Sequence, residues 1–168
     1  VVAEVENLKR NLLLFTQVKD LGFPTVLALN MVDQMEKKGI SIDVPALEKA
    51  LDTKIVLLSA RKKQGIDDLK QAILNYTDYS NNSIFDLKQI DNSYFGLLEN
   101  LYPDQNPYKV WLTQAGVFQF NNISSLVSND DNMRKSETEL KKLQQRETIK
   151  RYQFINETLK GTYKIDTS

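Results

Sequence analysis

Residues 25–33 have the sequence TVLALNMVD, a short apolar run that ends in Asn30 and Asp33. The run Thr25–Leu29 is strand-sized and almost wholly apolar, which is typical of a strand buried on both faces of a parallel sheet. A second run of this kind, Ile55–Leu58, follows further along the chain, and helical patterns flank both runs. Strands that alternate with helices predict α/β units joined by right-handed crossovers.

Three helices are predicted around these two strands. The first is capped by Asn7 and ended by Gly22, a second is capped by Asp43, and a third follows Gly65. The apolar residues of the first helix are Leu8, Leu12, Phe15, Val18 and Leu21, and those of the third are Ile66, Leu69, Ile73 and Tyr76. A strand stub at Val1-Val2 predicts a partial doubly wound sheet with an open edge, whose remaining strands lie upstream.

The composition excludes several classes of function. The 168 residues contain 22 Lys and Arg against 22 Asp and Glu, so no overall positive field is available to hold nucleic acid. The chain has no Cys and no His. Disulfides, zinc sites built on these residues, thiolate nucleophiles and imidazole bases are therefore excluded. No apolar run approaches the roughly 20 residues that a membrane-spanning helix needs.

The chain changes character after Tyr76. Residues 77–83 are rich in Asn, Ser and Thr, a composition typical of a linker, and residues 84–168 show mainly helical patterns. Within them, the polar stretch 121–132 is predicted to be a loop. We therefore expect half of an α/β domain at 1–76, a linker, and a small all-helical domain at 84–168.

Two start signals define helices in this second domain. Asn106 and Pro107 predict a cap and a first helical residue. Ser136 and Glu139 predict a capping box at the start of a long final helix. Trp111 lies on the apolar face of the helix that begins at Pro107, so it is predicted to be a core residue rather than a platform for a ligand.

The two predicted strands end in loops that suit a guanine base. Because the carboxyl ends of parallel strands meet at one edge of the sheet, the loops after them should be neighbours. The carboxylate of Asp33 can accept hydrogen bonds from the N1–H and N2–H₂ groups of guanine, whereas adenine presents an acceptor at N1. Asn30 can reach the base or tie the loops together, and backbone N–H groups around Ala60 can donate to guanine O6.

These loops resemble the N-K-x-D and S-A-K motifs of the small GTPase superfamily. Met31 replaces the first lysine of those motifs, so that a thioether flanks the base, and Arg61 replaces the second. A narrower resemblance is to the bacterial ferrous iron transport protein B family, FeoB, in which N-L-x-R-N-L, A-L-N-M-x-D and K-K-G-I-x-I-D occur in this order. The matching segments are Asn7–Leu12, Ala28–Asp33, Lys37–Asp43 and, at a later helix, Arg151–Asn156.

The resemblance implies a membrane protein with a cytoplasmic GTPase domain, a helical spacer and a transmembrane pathway for ferrous iron. This chain would supply the second half of a P-loop-GTPase-like domain and the spacer, at the cytoplasmic face of the bacterial inner membrane, with its own transmembrane domain as a partner. The implied cofactor is GTP or GDP in the complete protein. The implied nucleotide-binding residues are Asn30, Met31, Asp33, Ser59, Ala60 and Arg61.

The phosphate side of such a site is not encoded in residues 1–168. They contain neither a G-x-x-x-x-G-K-S/T phosphate loop nor a D-x-x-G motif. Since these motifs hold the phosphates and magnesium in GTPases, the resemblance places magnesium with an upstream segment. We expect residues 1–168 alone to be inactive and to supply no catalytic residue and no metal ligand.

Two other functions stay open on the sequence. One is a helical interaction module attached to a vestigial α/β nucleotide-binding half-domain, in which Asp33 only caps a turn and Ser59 begins an ordinary one. The other is an unrelated α/β binding protein. For the chain alone we also expect self-association through residues 1–30, by the open strand edge and the apolar face of the first helix.

Overall fold

The computed structural model describes residues 1–127 and 134–166. Its strands and helices, in chain order, are β1 Val2–Glu4, α1 Leu8–Asp20, β2 Val26–Asn30, β3 Ile40–Ile42, α2 Val44–Leu51, β4 Lys54–Leu57, α3 Ile66–Leu74, α4 Asn92–Leu101, α5 Pro107–Gln114, α6 Asn121–Val127, α7 Glu137–Lys160 and β5 Tyr163–Ile165. Short 3-10 turns occupy Val5–Asn7, Val32–Gln34, Tyr76–Asp78 and Leu87–Gln89. The predicted order, alternating strands and helices and then mainly helices, is confirmed.

The chain forms two compact units. The first contains Val1–Ile84 and Tyr152–Ser168, and the second contains Phe85–Arg151. The division therefore falls inside α7, which differs from the predicted single helical domain over 84–168. The physical reason is packing, because Ile155 and Leu159 of α7 are buried in the core of the first unit.

A three-stranded parallel sheet in the order β1-β2-β4 forms the centre of the first unit. The middle strand, β2, places Ala28 beside Val2 on one side and Val56 on the other. Both predicted apolar runs form strands, each displaced by one residue from the predicted bounds. The strands β3 and β5 form a separate antiparallel pair. The sequence did not predict this pair, because each strand has only three residues and no distinctive pattern.

On each outer edge of the parallel sheet, a backbone N–H group that has no strand partner donates to a side chain. The backbone N–H of Glu4 in β1 donates to Asn11 Oδ1 at 3.0 Å. The backbone N–H of Ile55 in β4 donates to Glu48 Oε2 at 2.9 Å. In the described residues β1 pairs only with β2, so the predicted open edge is present. The outward N–H of Glu4, the last residue of β1, already has Asn11 as its acceptor.

Helices cover the two faces of the sheet. One face packs against α1, α2 and the end of α7, and the buried core there comprises Ala3, Val5, Leu8, Leu12, Phe15, Leu27, Leu29, Ile40, Leu47, Leu51, Ile55, Ile155 and Leu159. The other face packs against α3, with Ala28, Val56, Leu58 and Ala72 buried together. The sheet is thus enclosed on both faces, as parallel sheets require.

Two expectations about helix faces are wrong. The apolar face of α1 is not open to a second copy, because Leu8, Leu12 and Phe15 are fully buried within the chain itself. In α3 and the turn after it, Ile73 is 56% exposed and Tyr76 is 58% exposed, although both were predicted to face inward. The buried residue of this short helix is Ala72, whose small side chain brings α3 close to the sheet.

The predicted caps are mostly confirmed. Asp43 Oδ1 accepts a hydrogen bond from the backbone N–H of Ala46 at 3.1 Å, and Asn106 Oδ1 accepts one from Lys109 at 2.9 Å. The reciprocal bonds of the Ser136–Glu139 capping box are 2.9 and 3.2 Å long. The capping prediction for Asn7 is wrong, because its side chain makes no capping hydrogen bond to α1.

The segment predicted as a linker is bonded to the first unit by a buried lysine. Lys19 is fully buried, and its Nζ donates to the carbonyl oxygens of Asp52 at 2.7 Å and Ser80 at 3.2 Å. Burial lowers the pKa of Lys19, while the Asp52 and Asp20 carboxylates act in the opposite direction. Asp20 Oδ1 accepts the backbone N–H of Ile84 at 3.0 Å, which fixes the end of the segment.

The second unit is held by a buried carboxylate that the sequence did not reveal. Glu147 Oε2 accepts hydrogen bonds from the Tyr108 hydroxyl at 2.6 Å and from Arg151 Nε at 2.8 Å, and Glu147 Oε1 accepts one from Trp111 Nε1 at 2.9 Å. The Arg151 guanidinium lies over the rings of Phe85 and Tyr108. Trp111 is fully buried, which confirms its prediction as a core residue.

The stretch predicted as a loop at 121–132 begins as a helix, since α6 occupies Asn121–Val127. Residues 128–132 lie outside the described residues. Among residues 1–127 and 134–166, no helix has the length and apolar character needed to cross a bilayer.

Replacing Glu147 should destabilise the second unit more than replacing an exposed glutamate of the same helix. Glu147→Ala leaves the buried Arg151 charge without this carboxylate, so we expect a loss of about 3–5 kcal/mol in the free energy of unfolding. Trp111 is the single tryptophan of the chain, and its fluorescence during urea titration reports this unit.

Glu137→Ala is the matched control. Glu137 is 86% exposed and pairs with Lys141 at 3.3 Å, so its loss should cost no more than about 0.5 kcal/mol. Equal effects of the two substitutions would contradict a supporting role for the buried carboxylate.

Candidate functional site

The loops that follow β2 and β4 lie side by side at the carboxyl edge of the sheet. The backbone N–H of Val32 donates to the carbonyl oxygen of Leu58 at 3.3 Å. Asn30 Oδ1 accepts a hydrogen bond from the backbone N–H of Ala60 at 3.0 Å. The two loops are separated by some 30 residues of chain, yet they form one connected surface, in the place where open α/β sheets bind ligands.

The first loop begins with a left-handed residue. Met31 has φ 66° and ψ 30°, a conformation that is uncommon for a residue other than glycine. It turns the chain into the 3-10 turn Val32–Gln34, whose closing N–H, that of Gln34, donates to the Met31 carbonyl at 3.0 Å. Met31 and Val32 pack against the core of the first unit. Asp33 therefore lies inside this turn rather than at its cap.

Asp33 is held as a carboxylate by the second loop and by its neighbour. The Ser59 side chain is the largest cause that lowers the pKa of Asp33 below its ordinary value, followed by the Gln34 side chain. Gln34 Nε2 donates to Asp33 Oδ2 at 2.9 Å. Lys62 adds a smaller electrostatic contribution in the same direction. An ionised carboxylate offers only acceptors, as recognition of two guanine N–H groups requires.

The second loop is a tight bend that fixes Ser59. The backbone groups of Ser59 and Gln64 exchange two hydrogen bonds, of 2.9 and 3.0 Å. Ser59 is fully buried, and its Oγ also accepts the backbone N–H of Lys62 at 3.2 Å. Gly65 closes the bend with φ 77°, and a side chain there would meet the Leu57 carbonyl. The hydroxyl that contacts Asp33 is therefore placed by backbone geometry.

The structure divides the six predicted residues into two groups. Asn30 accepts a hydrogen bond from the second loop, and the Ser59 side chain of that loop lowers the pKa of Asp33. Ala60 and Arg61 are exposed, and Met31 is half-buried. The Ala60 N–H, one of the backbone groups around Ala60 that we expect to face guanine O6, donates to Asn30 Oδ1. Asn30 thus ties the loops together in this structure, one of the two roles predicted for it.

Sequence reasoning missed three residues that shape the site. Gln34 contacts the Asp33 carboxylate, but a glutamine beside an aspartate carries no signal in a sequence. Gln64 forms the backbone bridge to Ser59, which any residue can form. Gly65 was recognised only as the residue before a helix, although a glycine at that place is a signal of a positive φ.

Ser59→Ala should raise the pKa of Asp33 toward its ordinary value of 3.8, because the main hydrogen bond to the ionised form is removed. A lowered pKa gives stability that is present above the unfolded-state pKa and lost as the pH falls through the folded-state pKa. The variant should therefore lose this stability at a higher pH than the wild type. NMR titration of the Asp33 carboxyl carbon measures the shift.

Lys62→Ala is the control for this titration, since Lys62 is the last of the causes that act on Asp33. Its effect on the pKa should be smaller than that of Ser59→Ala. An unchanged Asp33 midpoint in Ser59→Ala would show that the hydroxyl does not hold the carboxylate.

Comparison with known proteins identifies relatives of the first unit. A family model described as ferrous iron transport protein B matches residues 1–73. The Fe(2+) transport protein A/Fe(2+) transporter FeoB fusion protein of Porphyromonas gingivalis is 40% identical over 83 residues, which are 49% of this chain and 10% of that protein. The chain spans about a tenth of the length of the curated relatives it matches.

Solved structures with the same fold extend over most of the chain. The cytosolic domain of L. pneumophila FeoB is 28% identical with a TM-score of 0.77, covering 97% of this chain and 66% of that one. The cytosolic domain of the T. maritima FeoB iron transporter in its GMPPNP form is 21% identical with a TM-score of 0.81 and the same coverage, a likeness that shows the fold alone. The first 73 residues are thus similar to the ferrous iron transport protein B family.

Proposed function

We propose that this chain supplies the base-recognition half of a guanine nucleotide-binding domain, with an attached helical unit, in a ferrous iron transporter. The observation that carries the proposal is that the loops after β2 and β4, which hold Asp33 and Ser59, are joined at the carboxyl edge of the parallel sheet by the hydrogen bond from the Ala60 N–H to Asn30 Oδ1. The similar T. maritima FeoB domain is described in GDP and GMPPNP forms, which supports a guanine nucleotide as the ligand.

The specificity of this site rests on the ionised carboxylate of Asp33. Guanine presents two N–H donors to it, whereas adenine would place the lone pair of N1 against it and leave the carboxylate facing another acceptor. Met31, already packed against the core, supplies an apolar contact for the flat face of the base. Arg61 is exposed within the second loop, where it is available to the rest of the nucleotide.

We place the phosphate and magnesium contacts in a segment other than residues 1–168, since these contain no phosphate loop motif. The proposed location is the cytoplasmic face of a bacterial inner membrane, with the transmembrane domain of the same protein as the partner of the helical unit. The family of the first 73 residues and the iron transporters among its relatives support this placement. GTP hydrolysis and iron transport belong, in this proposal, to the complete protein.

We also propose that residues 1–168 alone associate through β1. Val2 is 63% exposed on this edge strand, and β1 has no second strand partner in the described residues. Strand edges of this kind pair readily with another chain. The buried face of α1 takes no part, so the contact is narrower than the one expected from the sequence.

Asp33→Asn should weaken GDP binding to the full-length protein by about 2–4 kcal/mol, because one acceptor becomes a donor that faces the guanine N–H groups. The same change should improve binding of xanthosine diphosphate, which has an acceptor where guanine has its amine. Fluorescence titration with both nucleotides measures the two effects.

Glu36→Gln is the control, since Glu36 is an exposed carboxylate a few residues from Asp33. It should leave both affinities unchanged. Asp33→Asn with wild-type GDP affinity and no gain for the xanthine nucleotide would contradict the assigned role. A full-length protein that binds no guanine nucleotide would favour the alternative of an interaction module with a vestigial site.

Val2→Glu should shift residues 1–168 from dimer to monomer, because it places a charge on the exposed side of the edge strand. Sedimentation velocity at micromolar concentration measures the change. Val117→Glu, at a valine that is 58% exposed in the second unit, should leave the dimer intact. A wild-type chain that sediments as a monomer would refute the association.

A further inference from the structure

Residues 31–39, which join β2 to β3 and contain Asp33, are called the base-recognition loop below. The strand β3 that follows this loop is paired with β5, far along the chain. In the β3–β5 pair, Ile40 lies opposite Ile165 and Ile42 lies opposite Tyr163. The pairing extends beyond both strands. The backbone N–H of Asp166 donates to the Gly39 carbonyl at 2.7 Å, and that of Asp43 donates to the Thr162 carbonyl at 2.8 Å.

A short series of backbone hydrogen bonds connects this pair to the turn that holds Asp33. The N–H of Met35 donates to the Val32 carbonyl at 3.1 Å, and the N–H of Ile40 donates to the Met35 carbonyl at 2.8 Å. The N–H of Val32 in turn donates to Leu58 in the second loop. The loop is thus fixed at its start by β4 and at its end by β3.

The position of β3 depends on β5. Within residues 1–127 and 134–166, β3 has no other strand partner, and three-residue strands in a two-stranded ribbon are marginal by themselves. The ribbon is held on the first unit by the burial of Ile40 in its core and by the Tyr163 hydroxyl, which donates to the Val5 carbonyl at 3.3 Å. Without β5, the downstream end of the base-recognition loop keeps the core packing of Met35, Ile40 and Ile42 but loses its strand partner.

Gly39 lies where the two segments approach each other closely. Its φ is 65°, and a Cβ placed there would collide with the carbonyl of Asp166. Glycine therefore serves two purposes here, the left-handed conformation and the close approach of β5. Gly116 has a similar φ of 71° but no atom within 4 Å of an added Cβ.

We propose that β5 regulates the base-recognition loop, and that Gly39 is the positioning residue through which it does so. When β5 is paired with β3, the turn that carries Asp33 is held in shape for the base, and when β5 leaves, guanine nucleotide binds more weakly. Because such a coupling is reciprocal, bound nucleotide also stabilises the pairing of β5. This inference rests on the proposed function for its ligand.

The first test measures the strand pairing in residues 1–168 without nucleotide. In Gly39→Ala, hydrogen exchange at the amides of Asp43 and Asp166 should become faster, because their acceptors move away. Gly116→Ala carries the same conformational cost without the collision and should leave these two amides as protected as in the wild type. Unchanged protection in Gly39→Ala would overturn the proposal.

A second variant acts from β5 and leaves the loop sequence intact. Lys164 is exposed and lies opposite Ser41. This pair lies midway between the Gly39–Asp166 and Asp43–Thr162 pairs, so the alternation of an antiparallel ladder turns the backbone N–H of Lys164 toward β3. Lys164→Pro removes its N–H donor and should release the same amides, whereas Lys164→Ala keeps the donor and should not. Equal protection in these two variants would likewise contradict the role of β5.

The final test measures GDP affinity in the full-length protein. Gly39→Ala and Lys164→Pro should each weaken binding by about fivefold or more, the scale of typical couplings between sites, while Gly116→Ala and Lys164→Ala stay near the wild type. GDP should in turn slow exchange at Asp43 and Asp166. If Asp33→Asn abolishes guanine preference while Gly39→Ala and Lys164→Pro bind GDP normally, the site is correct and the regulation is wrong. If the wild type binds no GDP, the proposed function fails and this inference fails with it.

Discussion

The burial of β2 between two parallel neighbours is the constraint on which the rest of the first unit depends. Its side chains belong to two cores, Leu27 and Leu29 to one and Ala28 to the other. Its backbone groups pair with β1 and β4, since unpaired backbone inside a core is costly. Because both neighbours run in its own direction, the chain must cross back after each strand. The loops after β2 and β4 therefore leave the sheet at one edge, and the candidate site follows from strand direction.

Hydrogen bonds between the two loops at that edge hold their polar groups in place. Asn30 is bonded to the backbone of Ala60, and Val32 is bonded to Leu58. Ser59 is buried, and both its N–H and its carbonyl are bonded to Gln64, so its side chain has a fixed position. A scaffold of this kind reduces the conformational freedom that a ligand would otherwise have to remove.

The sequence predicted those parts of the fold that are governed by local patterns. The buried strands follow from continuous apolar runs, and the caps at Asp43 and Asn106 follow from side chains that accept backbone N–H groups. The buried pair Glu147–Arg151 could not be predicted, because a charged residue on a helix is usually exposed and only the packed structure shows otherwise.

Within the site, the same distinction applies. Asp33 and Ser59 were predicted as neighbours because parallel strands bring their ends together, a rule that acts on strand order alone. The contact from Gln34 and the left-handed conformation of Met31 depend on the path of the loop, which no periodicity encodes. The pairing of β3 with β5 could not be predicted either, because no sequence pattern links the two segments.

The β3–β5 pair also has a consequence for biosynthesis. Ile40 and Ile165 are partners although 125 positions separate them in the chain. At ribosomal rates of roughly 5–20 residues per second, β3 leaves the ribosome on the order of 10 s before β5 has been made. During that interval the parallel sheet and the second unit can fold, while the loop between β2 and β3 still lacks its downstream support. Completion of that loop therefore waits for translation of β5 rather than for folding of the sheet.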